Sequence, residues 1–309
     1  AYSPTPELQD EIEIVVDKIE DLIESKWVWY RDRVITPLES LLSSHMKNER
    51  AVYILTYLIE ALGEESDESL PESDYLGSYE INDAVYGTEV KVELTSSKRV
   101  FESNGLPNHK TGDFPNSGNP NSIEEQDYHY EMPLELTIAW SSTDVQVPGV
   151  AINGVFYEPW TAEFVDCSDG SSRHIEAIQD AVDLGLDFNE AHVQPWGLYH
   201  YHGVPTELID WLAGEDDLVH IGFASDGALM YYSQSWMYSP SYKMKTGNRS
   251  VSWTCTYRGN TIQVSGVHDG MYQQDREYVD GYWDLDECNG TMINWEYAYT
   301  VSYTHLTLP

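Results

Sequence analysis

Residues 189–205 have the sequence NEAHVQPWGLYHYHGVP. Tyrosine and histidine alternate at positions 199–202, and the two-residue period of an extended strand would place His200 and His202 on one face and both tyrosines on the other. His192 lies eight residues before His200, on the far side of a turn containing Pro195 and Gly197. The segment therefore predicts three imidazoles that converge beside a β-strand.

Three converging histidines have two interpretations. Neutral imidazole is a common ligand of transition metals, and three histidines bind Zn²⁺ or Cu²⁺ while leaving one position open for water. Alternatively, histidines flanked by aromatic residues sit in a hydrophobic core, donate hydrogen bonds to backbone carbonyls and contact no metal. The spacing alone leaves both interpretations open.

The sequence around this segment is typical of a β-rich domain, predicted over residues 77–300. Short alternating runs are separated by Gly, Asn and Pro, and strands are expected at 89–94, 135–139, 150–156 and 218–223. Two short helices are also expected, one over 173–182 with Ser172 as N-cap and one over 207–212 with Thr206 as N-cap.

The N-terminal region has a different pattern. Apolar residues recur at steps of three and four, which predicts a helical hairpin or small bundle over residues 1–63 that spaces, anchors or oligomerises the chain. Residues 64–76 are acidic and predict a solvated linker. The predicted fold class is therefore α+β, with a β-rich domain preceded by an N-terminal helical segment.

The charge of the chain excludes some partners. It contains 53 acidic and 16 basic residues, a formal net charge of −37. Nucleic acids and anionic membranes require a cationic surface, so neither is an expected partner. No uncharged apolar run is long enough to cross a bilayer, and the acidity is typical of a salt-rich or marine environment.

The cysteines exclude two classes of protein. Cys167, Cys255 and Cys288 are too few and too widely spaced for a zinc ribbon, and no C-x-x-C motif is present for thioredoxin-like chemistry. One disulfide within the chain and a partner beyond residue 300 are both compatible with three cysteines.

Residues 301–309 (VSYTHLTLP) match the translation of a transposase adapter used in sequencing. We therefore expect this tail to be an artefact that replaces the native C-terminus, and assign no role to His305. The alternative is a native β-rich tail.

The motif Tyr199-His-Tyr-His-Gly203, preceded by AHVQP at 191–195, resembles the YHYH-domain family. Further blocks resemble the family over roughly residues 85–300, at 99–109, 114–120, 150–156, 184–187, 224–227 and 284–290. The resemblance implies an exported domain without an established activity, in an extracellular or cell-envelope location. It also ties His109 to a motif position, as a fourth metal ligand beside the other three.

Three functional classes follow from these residues. A metal-dependent hydrolase would use Asp226 or Glu287 as a base beside the metal, with Asp286 as a further acid/base candidate. No G-x-S-x-G, P-loop, dinucleotide or H-E-x-x-H motif is present to indicate another catalytic class. A carbohydrate-binding module would use aromatic residues expected in loops or at edges, and a structural cell-surface role is the third class. The acids at 284–287 and Asn289 offer oxygen ligands for Ca²⁺. The aromatic residues considered for carbohydrate binding are Trp196, Trp236, Tyr238, Trp253 and Trp283.

Overall fold

The computed structural model describes residues 73–136, 147–179, 182–249, 254–293 and 296–301. Within these ranges it contains twenty short β-strands, and its single α-helix is α1 (Thr206–Leu212). The first sheet is an antiparallel meander of four strands, β1 (Tyr79–Asp83), β2 (Thr88–Leu94), β3 (Lys98–Ser103) and β4 (Tyr128–Pro133).

The largest sheet contains the histidine motif and has eight strands. They are β5 (Gly149–Ala151), β6 (Phe156–Tyr157), β9 (Ala191–Val193), β10 (Tyr199–Tyr201), β11 (Leu218–Ala224), β12 (Leu229–Ser233), β19 (Gly290–Ile293) and β20 (Glu296–Val301). Their order across the sheet is β19-β20-β12-β11-β5-β6-β10-β9, with parallel pairing at β6–β10 and β12–β20.

Apolar residues are buried on both faces of this sheet. On one face, Val150, Phe156 and Phe223 pack in a cluster with residues of the meander such as Phe101. On the other face, a second cluster contains the tyrosines of β6 and β10 together with Leu208 of α1. Neighbouring residues of a strand point to opposite faces, so Phe156 joins the first cluster and the next residue joins the second.

The remaining strands form one sheet and two ribbons. The sheet has the order β16-β15-β7-β8 and contains a disulfide between Cys167 and Cys255, which face each other across the β7–β15 pair. Its strands are β7 (Phe164–Cys167), β8 (Ser172–His174), β15 (Cys255–Tyr257) and β16 (Asn260–Ile262). The ribbons pair β13 (Tyr242–Met244) with β18 (Arg276–Tyr278) and β14 (Asn248–Arg249) with β17 (Gly266–Val267).

The predicted α+β class is wrong, because the described residues form a β-rich fold with one seven-residue α-helix. The helix predicted over 173–182 is also wrong. Residues 172–174 pair with β7, with Arg173 opposite Val165, and this ladder overrides the local helical pattern. The helix predicted over 207–212 is confirmed, although it begins at Thr206 and the N-cap is Pro205.

Several predictions fall outside the described residues. Residues 1–72 are among them, so the helices expected over 1–63 and most of the 64–76 linker stay predictions. Most of the strand expected at 135–139 is also outside the described ranges. Val301 is buried at the end of β20, whereas residues 302–309 lie beyond the description, and the adapter interpretation likewise stays a prediction.

Candidate metal centre

Strand register brings the three histidines of the motif together. His200 lies directly opposite His192 in the antiparallel β9–β10 pair, so both imidazoles project from the same face of the sheet. His202 follows the end of β10, two residues after His200, and its backbone N–H donates to the carbonyl of Glu190 at 2.7 Å. The alternation predicted from YHYH is thus present within β10 and continues to the residue after it.

The facing atoms are the three Nε2 nitrogens. The Nε2 of His202 lies 3.0 Å from that of His200 and 3.0 Å from that of His192. Among the described residues, these three form the group of histidine, cysteine and acidic side chains whose ligand atoms converge, all within 4.8 Å of one another. Two nitrogens on one tetrahedral Zn²⁺ lie about 3.3 Å apart, since each Zn–N bond is about 2.0–2.1 Å. The two distances from His202 are close to that value, and the third pair, His192 and His200, lies within 4.8 Å.

The opposite ring nitrogens fix the tautomers of two of these histidines. The Nδ1 of His192 lies 2.9 Å from the carbonyl oxygen of Leu184, and the Nδ1 of His200 lies 3.3 Å from that of Leu198. A carbonyl only accepts, so both Nδ1 atoms must carry the hydrogen, and the Nε2 of each neutral ring is left with a lone pair. An Nε2–H on His202 could satisfy one of these lone pairs, but not both.

Burial keeps these rings neutral. His200 and His202 are almost completely buried, and His192 is half-buried. Burial lowers the pKa of His200 to about 3, with a smaller contribution from the neighbouring His192. Burial and the two adjacent rings hold the pKa of His202 well below its usual value, and burial lowers the pKa of His192. The facing Nε2 atoms of His192 and His200 therefore carry lone pairs that a cation would coordinate.

A carboxylate that no sequence motif indicated lies beside this group. Glu158 follows β6, and its N–H donates to the carbonyl of Tyr201 at 2.9 Å, so the parallel β6–β10 pair brings it to the motif. Its Oε2 lies 3.8 Å from the Nε2 of His200 and accepts a hydrogen bond of 2.8 Å from Gln194. Burial raises the pKa of Glu158, and the Gln194 bond partly offsets this.

His109 lies on the tyrosine face, outside the converging group. Its Nε2 is 2.6 Å from the hydroxyl of Tyr201, and its Nδ1 is 3.0 Å from the carbonyl oxygen of Lys110. The carbonyl requires the hydrogen on Nδ1, so Nε2 accepts the Tyr201 hydroxyl hydrogen. The same hydroxyl accepts a hydrogen bond of 2.9 Å from the amide of Asn153.

Tyr199 is held in a similar way on this face. Its hydroxyl donates to Asp187 at 2.8 Å and accepts from the amide of Asn189 at 3.3 Å. Asp187 also accepts the backbone N–H groups of Gly112 and Asn189, at 2.9 and 2.8 Å. The polar groups of this face therefore have partners within the protein.

The two predicted acid/base residues bond to tyrosines and loop amides. Asp226 accepts the hydroxyl of Tyr299 at 2.7 Å and the N–H of Ala228 at 3.0 Å. Asp286 accepts the hydroxyl of Tyr297 at 2.8 Å and two loop N–H groups, those of Cys288 and Gly290, at 2.9 Å. Neither belongs to the converging histidine group, and their catalytic role stays a prediction.

The residues proposed for glycan binding are spread over several segments. Trp196, Trp236 and Trp283 are 59%, 50% and 57% exposed, whereas Tyr238 is half-buried and Trp253 lies outside the described residues.

No helix in the described ranges has the length and apolar character needed to cross a membrane.

A family model described as "YHYH protein" matches residues 129–308. The matched range contains all three converging histidines and Glu158, and begins after His109. Searches of curated proteins and of solved structures gave no significant match.

Proposed function

The chain belongs to the YHYH protein family, and we propose that it binds one divalent transition-metal ion through the Nε2 atoms of His192, His200 and His202. The observation that supports this most directly is the convergence of the three Nε2 atoms, because two of the rings already use Nδ1 to donate to a carbonyl. Nδ1–H donation to a backbone carbonyl is the usual way in which proteins orient a metal-binding imidazole.

The donor set favours zinc or copper. Imidazole nitrogens suit Zn²⁺ and Cu²⁺, whereas Ca²⁺ takes six to eight oxygen ligands. The predicted Ca²⁺ loop is less suited to a cation, because the carboxylate of Asp286 accepts hydrogen bonds from Tyr297 and from loop amides.

Three protein ligands are typical of catalytic zinc, whereas structural zinc sites have four. We therefore extend the proposal to metal-dependent hydrolysis, in which the metal acts as a Lewis acid toward a substrate carbonyl or phosphoryl oxygen. His192 is only half-buried, which is consistent with access from solvent on its side of the group.

We also propose an extracellular or cell-envelope location. The Cys167–Cys255 disulfide supports it, because disulfides persist in oxidising compartments and are rare in the cytosol. This inference is independent of the histidines.

The proposal is tested by the metal content of the full chain after dialysis against Zn²⁺ or Cu²⁺, measured by elemental mass spectrometry. We expect one ion per wild-type chain and almost none in a His200→Ala, His202→Ala double variant. His129→Ala is the matched control, since His129 is 60% exposed on β4, and it should retain the ion. No metal in the wild type, or a full equivalent in the double variant, would contradict the proposal.

A second candidate function is glycan binding, favoured by the exposure of Trp196, Trp236 and Trp283. Exposed aromatic rings present an apolar face that suits stacking on sugars. Retention of the metal-free chain on immobilised polysaccharide, lost in a Trp196→Ala, Trp283→Ala variant, would support this class over the metal centre.

A further inference from the structure

Glu158 lies beside the proposed metal centre, and the role inferred for it below rests on that proposed function. Its Oε2 lies 3.8 Å from the Nε2 of His200, but among the described residues the group of converging ligand atoms contains the three histidines and not Glu158. The carboxylate is therefore placed beside the histidine group and is not a member of it.

Gln194 and the backbone hold the carboxylate in this place. The Gln194 amide donates to the same Oε2 at 2.8 Å, and the Glu158 N–H is bonded to the carbonyl of Tyr201. Gln194 follows β9 and so belongs to the segment that supplies His192, whereas Glu158 follows β6. Two elements of the sheet therefore fix one acceptor oxygen beside the histidine group.

We infer that Glu158 faces an open fourth position of the metal centre and accepts a hydrogen bond from the ligand bound there. This makes Glu158 a positioning residue and predicts the class of ligand. The position should favour a small molecule with an O–H or N–H group, such as water, an alcohol or a primary amide. A ligand without such a hydrogen loses this interaction.

The test uses the full chain loaded with Co²⁺, whose visible absorption reports the ligands of the ion, and azide as a probe that has no hydrogen to donate. In the wild type, azide must displace a ligand held by Glu158. We expect Glu158→Ala to keep one Co²⁺ per chain and to bind azide about tenfold more tightly, because the competing hydrogen bond is gone. Glu158→Gln retains an acceptor of similar shape and should give an intermediate affinity.

Glu277→Gln is the control, since it removes a carboxylate paired with Lys243 on the surface and should leave azide binding unchanged. Unchanged azide affinity in both Glu158 variants, with Co²⁺ bound as in the wild type, would overturn the inference and leave the metal centre intact. A hundredfold loss of Co²⁺ affinity in Glu158→Ala would overturn it differently, by identifying Glu158 as a direct ligand. No Co²⁺ uptake by the wild type would overturn this inference together with the proposed function.

Discussion

Tyr201 and His202 are neighbours in the sequence, but their polar atoms have very different surroundings. The Tyr201 hydroxyl belongs to a directed chain in which Asn153 donates to the tyrosine, the tyrosine donates to His109, and His109 donates to a carbonyl. The Nε2 of His202 instead faces two further imidazole nitrogens. A buried polar cluster without enough hydrogens for its acceptors is therefore a stronger sign of a ligand site than a cluster of polar residues as such.

The largest expected effect is on metal-linked stability. A ligand that binds only the folded state at 1,000 times its dissociation constant raises the free energy of unfolding by about 4 kcal/mol. We expect Zn²⁺ to produce an increase of this size in the wild type and none in His192→Gln. Denaturant titration with and without Zn²⁺ measures it, and an equal increase in both proteins would contradict the distinction between the two faces.

Acid should destabilise the metal-free protein through the histidine face. The folded-state pKa of His200 is about 3, below its ordinary value of 6.5, so between these values the unfolded chain binds a proton that the folded chain does not. Stability is therefore fully present above pH 6.5 and falls with decreasing pH by about 1.4 kcal/mol per unit for this ring.

Denaturant titrations of the metal-free protein at pH 7, 6 and 5 would measure this slope. His220 is a useful reference, because burial also lowers its pKa to about 3, while its ring nitrogens contact Ser73 and the carbonyl of Gly222. His200→Gln should therefore reduce the slope without removing it. A slope identical to that of the wild type would contradict the neutral state assigned to His200.

Tyr201→Phe should affect stability but not metal content. The variant leaves the Nε2 of His109 and the amide of Asn153 without their shared partner, which costs about 1–3 kcal/mol of unfolding free energy. Zinc stoichiometry is expected to stay at the wild-type value. Loss of zinc together with stability would show that the two faces act as one site.

Tyr199→Phe should have the smallest effect, about 1 kcal/mol of unfolding free energy. Asp187 loses one donor in this variant but keeps the N–H groups of Gly112 and Asn189. A cost larger than that of Tyr201→Phe, measured under the same conditions, would show that the tyrosine face is organised around Asp187 instead of His109.

The histidine group could be predicted from sequence because its geometry is local. The alternation in YHYH and a short return to His192 are contained in one antiparallel hairpin, β9–β10. Glu158 could not be found in this way, because it reaches the motif through the parallel pairing of β6 with β10, which no local pattern encodes. His109 contacts Tyr201 on the face of β10 opposite the three histidines, and the sequence resemblance that linked it to the motif carried no information about which face it would contact.

The fold shows the same division between local and non-local information. The strand expected at 218–223 corresponds to β11, whose mostly apolar composition matches its burial on both faces of the sheet. The helix expected over 173–182 is replaced by β8, whose partner β7 is itself paired and disulfide-bonded to β15, a strand more than eighty residues away in sequence. Non-local pairing of this kind outweighs the intrinsic preference of a short segment.

The central claim is that the Nε2 atoms of one face bind metal and that of His109 does not. Nitrogen-detected NMR of the histidine side chains, with and without one equivalent of Zn²⁺, tests it directly. We predict that Zn²⁺ shifts the Nε2 signals of His192, His200 and His202 and leaves that of His109 unchanged. A shift at His109, or an unshifted Nε2 signal from any of the other three, would contradict the account.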